Sequence, residues 1–341
     1  MNEKNIQVAK WWQETDHNKI LCTLCPRYCK IGRGQSGFCF IRQNLNDTLY
    51  TTGYGKPIGF AIDPIEKKPL NHFYPGSDIL SFGTAGCNLG CRFCQNWSMS
   101  KAKSDASNAL YASPEDVVAL AHEYKVPSIA YTYNDPTIFG EYVIDISKIG
   151  RQEGIKSVMV TNGYIDKEAR KQVYQNIDAA NIDLKAFTER FYRKLTFAHL
   201  KDVLDTLIWL KKDTDIWFEI TTLLIPHQND SQEEIKRMVD WILQHLGSDI
   251  PIHFTAFHPD FKMTDTPPTP PQTLQKARKT AIDMGIKYCY VGNIMDSASQ
   301  TTYCPGCGKP LIERSWHNVS NNLIADGYCP DCHTAINGIW T

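Results

Sequence analysis

The sequence has no apolar run long enough to cross a bilayer, which takes about 20 consecutive residues, and its opening stretch from Met1 to Ile20 is too polar for a signal or transit peptide. A cytoplasmic chain with no membrane segment is expected. It also lacks an excess of either charge: 36 Lys and Arg stand against 37 Asp and Glu. No basic stripe interleaved with aromatics offers a face to a polyanion, so nucleic acid is unsupported as a partner. Internal repeats and low-complexity tracts are absent too, which argues against a solenoid or a disordered scaffold.

Cysteine is what the chain has in plenty. Twelve among 341 residues are too many to be incidental in a compartment that keeps thiols reduced, where such residues bind metals or do redox chemistry. They fall into groups: Cys22, Cys25, Cys29 and Cys39; then Cys87, Cys91 and Cys94; then Cys289 alone; then Cys304, Cys307, Cys329 and Cys332. Cys289 sits in an apolar run and reads as a buried strand residue.

From about Asp78, β-rich runs alternate with amphipathic stretches of helical length, the pattern of βα units around a parallel sheet. Strands are expected near Ile79–Gly83, Ser128–Tyr133, Ser157–Thr161, Asn181–Leu184, Trp217–Leu224, Ile252–Phe257 and Tyr288–Val291. Helices should start at Ser113-Pro114-Glu115-Asp116 and after Asp230-Ser231, where a cap and early acids suit the helix dipole. The proline-rich segment 264–271 should be a loop at the barrel mouth. The two ends are short and turn-rich, as where a metal replaces a hydrophobic core. Three regions follow: residues 1–75 with four cysteines, a barrel core over 76–298, and a second four-cysteine module over 299–341.

In Gly86-Cys87-Asn88-Leu89-Gly90-Cys91-Arg92-Phe93-Cys94 the cysteines are spaced three and two residues apart on a glycine-bearing loop after the first core strand. Ferredoxin-type clusters use four cysteines, so three from one loop can hold three irons of a cubane and leave one iron open. A zinc site with a distant fourth ligand, or three structural cysteines, is the plainer alternative.

This loop, with Phe93 before its third cysteine, resembles that of the radical S-adenosylmethionine (radical SAM) superfamily. The approach Asp63-Pro64-Ile65-Glu66-Lys67-Lys68-Pro69-Leu70 resembles the group containing pyruvate formate-lyase activating enzymes. Over nearly the whole length the chain is similar to the radical SAM enzymes of the AmmeMemoRadiSam system: in its N-terminal cysteine set, in Tyr131-Thr132-Tyr133-Asn134-Asp135-Pro136-Thr137, and in its C-terminal Cys-Pro-x-Cys pairs. The resemblance implies a partial (β/α)6 TIM-like radical SAM barrel in the α/β class with small four-cysteine segments at both ends. It implies a 4Fe-4S cluster on Cys87, Cys91 and Cys94, with S-adenosylmethionine chelated at the open iron. A low-potential electron donor such as flavodoxin or ferredoxin, a protein substrate as for glycyl-radical activases, and AMMECR-type and Memo-type partners are implied as well.

In βα barrels the reactive groups lie past the C-terminal ends of strands, and the polar signals here fall there. By the resemblance, Phe93, Asn134, Asp135, Thr161, Asn162, Asp183, Lys185 and His258 line the cofactor site: Asp135 meets the methionine ammonium, Lys185, paired with Asp183, the carboxylate, and His258 the ribose or methionine end. Alone, Asp135 before Pro136 also reads as a helix start, and Asp183 with Lys185 as a plain ion pair. Val160 replaces the activators' Asp, which speaks against their cation site. Glu219 stands where they carry Arg, and suggests a different substrate pocket.

At the C-terminus, Cys304-Pro305-Gly306-Cys307 and Cys329-Pro330-Asp331-Cys332 form two knuckles of a zinc-ribbon or rubredoxin pattern, and a structural role favours zinc. Cys22, Cys25, Cys29 and Cys39 suit zinc or an auxiliary Fe-S cluster; a loop-rich tetrathiolate leans to zinc. Two other functions remain in view: radical modification of RNA or a small metabolite, and a metal-stabilised partner-binding module with no need of an open iron.

Overall fold

A computed structural model describes residues 6–15, 19–103 and 110–340. The chain divides into two compact units, residues 1–63, 78–178 and 196–198 in one, and residues 64–77, 179–195 and 199–341 in the other. Each cysteine-rich end therefore belongs with one part of the βα core rather than standing as a separate body.

In the first unit, the strands Asp78–Gly83, Ser128–Tyr131 and Lys156–Thr161 run parallel. Every described residue from Ile79 to Gly83 is buried, as is all of Ser128–Tyr131, which is why these runs read as continuous apolar stretches rather than alternating ones. The helix Pro114–Glu123 opens on a capping box in which the Ser113 hydroxyl accepts from the Asp116 N–H and the Asp116 carboxylate accepts from the Ser113 N–H. A strand not foreseen in the sequence, Ile58–Pro64, lies beside Asp78–Gly83. The cysteine-bearing N-terminus forms two small antiparallel sheets, one of Trp12–Thr15, Lys19–Cys22 and Lys30–Gly32, the other of Gln7–Val8, Thr48–Thr51 and Arg42–Leu45.

The second unit contains the parallel strands Ala179–Asp183, Trp217–Leu224, Ile252–Ala256 and Cys289–Gly292. All seven expected core strands are therefore present. Ser231 caps the helix Gln232–His245. The proline segment is irregular up to Pro270, but Pro271 opens the helix Pro271–Asp283, because a proline at the first helical position gives up only an N–H that would be unpaired there. Cys289 is buried, as expected. No helix among the described residues is long and apolar enough to cross a membrane.

Glu219 departs from expectation. It is the third residue of its strand, far from the C-terminal end, and wholly buried. Its carboxylate accepts from the backbone N–H groups of Asn71 (3.0 Å) and His72 (2.7 Å), from His253 Nε2 (2.6 Å) and from Trp217 Nε1 (3.1 Å). Burial alone would raise this carboxyl, but the His253 hydrogen bond and its companions outweigh it and hold Glu219 below the usual range. It is a structural anchor, not part of a substrate pocket. Beside it, burial pushes His72 down to about 4, so the ring is neutral. Its Nδ1–H then donates to the Asn337 carbonyl (2.6 Å) and its Nε2 accepts from the Tyr290 hydroxyl (2.6 Å). Glu219→Ala would orphan four donors, and we expect it to cost about 3–5 kcal/mol of stability, read as a lower urea midpoint. Glu219→Gln, which keeps an acceptor oxygen, should cost less.

Candidate active site and metal centres

Parallel strands place their C-terminal ends on one edge, and in the first unit three such ends converge on the Cys87 loop. Asn88, within the loop, is buried and donates through Nδ2 to the Tyr164 carbonyl (2.8 Å) while accepting from Asn162 Nδ2 (2.9 Å). Asn162 Oδ1 accepts in turn from the Tyr164 N–H (2.8 Å). The Thr161-Asn162-Gly163 turn thus clamps the cysteine loop. Asn134 fastens it from the neighbouring strand, donating to the Gly86 carbonyl (2.9 Å) and to Thr84 Oγ1 (3.1 Å), and accepting from the Thr84 N–H (3.2 Å). Gly86 has φ of +87°, and a Cβ there would fall 2.0 Å from the Cys39 carbonyl oxygen, so only glycine fits.

Asp135 is buried, and its carboxylate accepts from the Thr137 N–H (2.9 Å), Thr161 Oγ1 (3.0 Å) and the Asn162 N–H (2.7 Å). It caps the short helix Pro136–Phe139, in keeping with the helix-start reading, and ties one strand end to the next. Phe93 is likewise buried. Asn88 is the residue that the sequence reading passed over, because cysteine spacing draws attention to the ligands and not to what holds them. Asn88→Ala leaves a buried carbonyl and a buried amide unpaired, at about 1–3 kcal/mol each. A fall in thermal midpoint together with faster loss of loop iron to a chelator is the expected result.

The remaining expected site residues lie in the second unit. Lys185 Nζ pairs with Asp183 Oδ2 at 2.9 Å, both partly buried, Asp183 at the last position of its strand and Lys185 just past it. His258 follows the strand Ile252–Ala256; its side chain is 60% exposed and lies 4.0 Å from Asp260 Oδ2. A ring exposed to this degree is within reach of a ligand.

The sulfurs behave differently in the three groups. Burial first, with Asp135 next for Cys87 and Cys22 next for Cys25 and Cys39, pushes these three thiols up, Cys39 to about 11. They stay protonated at neutral pH unless a cation replaces the proton, which fits iron or zinc ligands. The C-terminal four have all their sulfurs within 4.8 Å of one another, with Cys304 to Cys332 at 3.5 Å and Cys307 to Cys329 at 3.7 Å. Metal–sulfur bonds of about 2.3 Å in a tetrahedron require sulfurs roughly 3.8 Å apart, so this quartet fits a single ion. Among the described residues, neither of the other cysteine groups is drawn so tightly together.

A model of the family described as the Radical SAM superfamily matches residues 82–242. An uncharacterized protein of Methanocaldococcus jannaschii is 45% identical over 314 residues, covering 92% of this chain and 93% of its own. Another protein of that organism, described as a putative glycyl-radical enzyme activating enzyme, is 28% identical over 53% of this chain and 68% of its own. Among solved structures, a radical SAM methyltransferase from Sphaerobacter thermophilus shares the fold with a TM-score of 0.53 at 12% identity, over 84% of this chain and 76% of that one.

Proposed function

This chain belongs to the radical SAM superfamily, and from that membership we propose that it is an activating-enzyme-like oxidoreductase that abstracts hydrogen from a polypeptide substrate. The observation that carries the reading is the Cys87, Cys91 and Cys94 loop clamped at three parallel strand ends. Similarity to a putative glycyl-radical enzyme activating enzyme supports a protein as the substrate. Partners of the AMMECR and Memo types, and a donor of the flavodoxin or ferredoxin class, are part of the same proposal.

Cys87, Cys91 and Cys94 would hold a 4Fe-4S cluster, which would supply the electron for cleavage of S-adenosylmethionine to methionine and a 5′-deoxyadenosyl radical. The protein's own contribution is position. Asn88, Asn134 and Asn162 fix the loop with neutral side chains, while the charges of Asp135, Lys101 and Arg27 lie close to it. Gly83 leaves room there: a Cβ on it would come within 2.8 Å of Asn134 Oδ1. Lys185 offers an ammonium for a carboxylate, with Asp183 orienting it.

Separate roles for these residues give separate outcomes. Lys185→Ala removes one charge-assisted contact of about 1.5–3 kcal/mol, a loss of roughly ten- to a hundredfold in affinity. Its folding and iron content should be unchanged. Asp135→Ala should instead lower the thermal midpoint, since it strips three donors of their acceptor. Titration of S-adenosylmethionine into each reconstituted variant, followed by the cluster's spectrum, checks both; unaltered affinity in Lys185→Ala and His258→Ala together refutes the proposed cofactor contacts.

A further inference from the structure

The N-terminal cysteines are built unlike the C-terminal ones. Cys22, Cys25, Cys29 and Cys39 line one small cavity, whose wall is completed by Leu24, Ile31 and Ile138 and by the guanidinium groups of Arg27 and Arg42. Among the described residues, the C-terminal quartet is the cysteine group whose four sulfurs gather within 4.8 Å of one another. Thiolates on separate irons of a cluster stand farther apart than thiolates on one zinc. Arg42 is buried, holds Glu141 through Nη1 at 3.0 and 3.1 Å, and still has an Nε–H with no acceptor among the described residues. An orphaned buried donor on a thiol-lined wall calls for an acceptor such as a cluster sulfide.

The cavity also abuts the Cys87 loop. The Cys39 carbonyl packs against Gly86 so closely that a Cβ would meet it at 2.0 Å, Arg27 donates to the Asn88 carbonyl, and Asn88 is itself part of the cavity wall. We propose that Cys22, Cys25, Cys29 and Cys39 hold a second iron–sulfur cluster, rather than zinc, which passes electrons to the Cys87 loop across this backbone contact. One electron per cleavage enters from a low-potential one-electron donor protein, resides on the second cluster and moves on to the loop, leaving the second cluster oxidised and ready for the next.

The relay rests on the proposed function of the Cys87 loop; the presence of the second cluster does not. The full chain carrying Cys87→Ala, Cys91→Ala and Cys94→Ala, reconstituted anaerobically, should retain about four irons and four sulfides, with an electron paramagnetic resonance signal that S-adenosylmethionine leaves unchanged. Sulfide separates such a cluster from a rubredoxin-type iron in the C-terminal quartet. A variant bearing Cys25→Ser and Cys29→Ser should keep the loop cluster and its response to S-adenosylmethionine, but lose its reduction by a flavodoxin while still being reduced by dithionite. No sulfide in the triple variant, with zinc found instead, overturns the second cluster while leaving the loop's assignment standing. Equal reduction of wild type and double variant by flavodoxin overturns the relay. If the double variant does not fold, Mössbauer counting of two distinct four-iron spectra in the wild-type chain supports the second cluster, a single spectrum overturns it, and flavodoxin reducing the loop cluster while the second cluster stays oxidised overturns the relay.

Discussion

Replacing Cys87, Cys91 and Cys94 together by alanine should abolish 5′-deoxyadenosine formation while leaving the protein folded. The first half follows from chemistry: without thiolates on the loop there is nothing to hold iron at the site, and a sulfonium ion is not reduced by any amino-acid side chain present. The second half follows from how the loop is held. Its brace consists of Asn88 to Tyr164 and Asn162, the Gly90 N–H to the Thr196 carbonyl at 2.9 Å, and Lys101 Nζ to the Leu89 carbonyl at 3.1 Å. The contacts of Cys87 and Cys94 are long by comparison, Leu89 N–H to Cys87 at 3.4 Å and Cys94 to the Ser100 hydroxyl at 3.6 Å. Anaerobic turnover with dithionite, product chromatography and circular dichroism form the check. Product at the wild-type rate refutes the assignment of the loop, whatever the variant's stability.

The sequence was legible where one residue type recurs at a fixed interval. Core strands announced themselves as runs of β-branched and aromatic residues bounded by turns, and each stands within a few residues of its expected place. Caps were legible for the same local reason, as at Ser113 and Ser231. The strand Ile58–Pro64 was not, because Gly59, at φ of +72°, and the closing Pro64 carry the usual signals of a turn. Partnerships across long separations were harder still. Nothing local says that Glu219 will meet the backbone of His72, 147 residues away, or that Asn88 will meet Tyr164, 76 away. A buried carboxylate on a strand was therefore read as a pocket residue, although Glu219 is an anchor, and the ties that Asp135 makes to Thr161 and Asn162 were not foreseen. The cysteine groups show the same boundary: spacing identifies ligands, but the choice between one ion and a cluster needs the distances between sulfurs.

Those distances give the C-terminal quartet the other large expected effect. Cys304 and Cys329 are buried, and they join Leu311, Ile312 and Ile336 in one apolar cluster with Tyr290 of the last core strand and Tyr288 just before it, while Cys307 and Cys332 face solvent. The Thr334 hydroxyl, first among its hydrogen bonds, holds Cys332 down at about 6, so one ligand is already anionic at neutral pH. The three-stranded sheet that carries the knuckles is small, and its strand Asn318–Asn322 has no fully buried residue, so little apolar area secures it without the ion. Binding a structural zinc is worth on the order of 10 kcal/mol to a module of this kind. Cys329→Ser should therefore release the metal, and with it the packing around Tyr288 and Tyr290. Metal analysis, near-ultraviolet circular dichroism and limited proteolysis beyond Thr302 would follow these losses together. Chelation of the wild-type chain should reproduce them and added zinc should reverse them. A Cys329→Ser chain that kept both its metal and its thermal midpoint would mean that the apolar cluster, not the ion, holds the module.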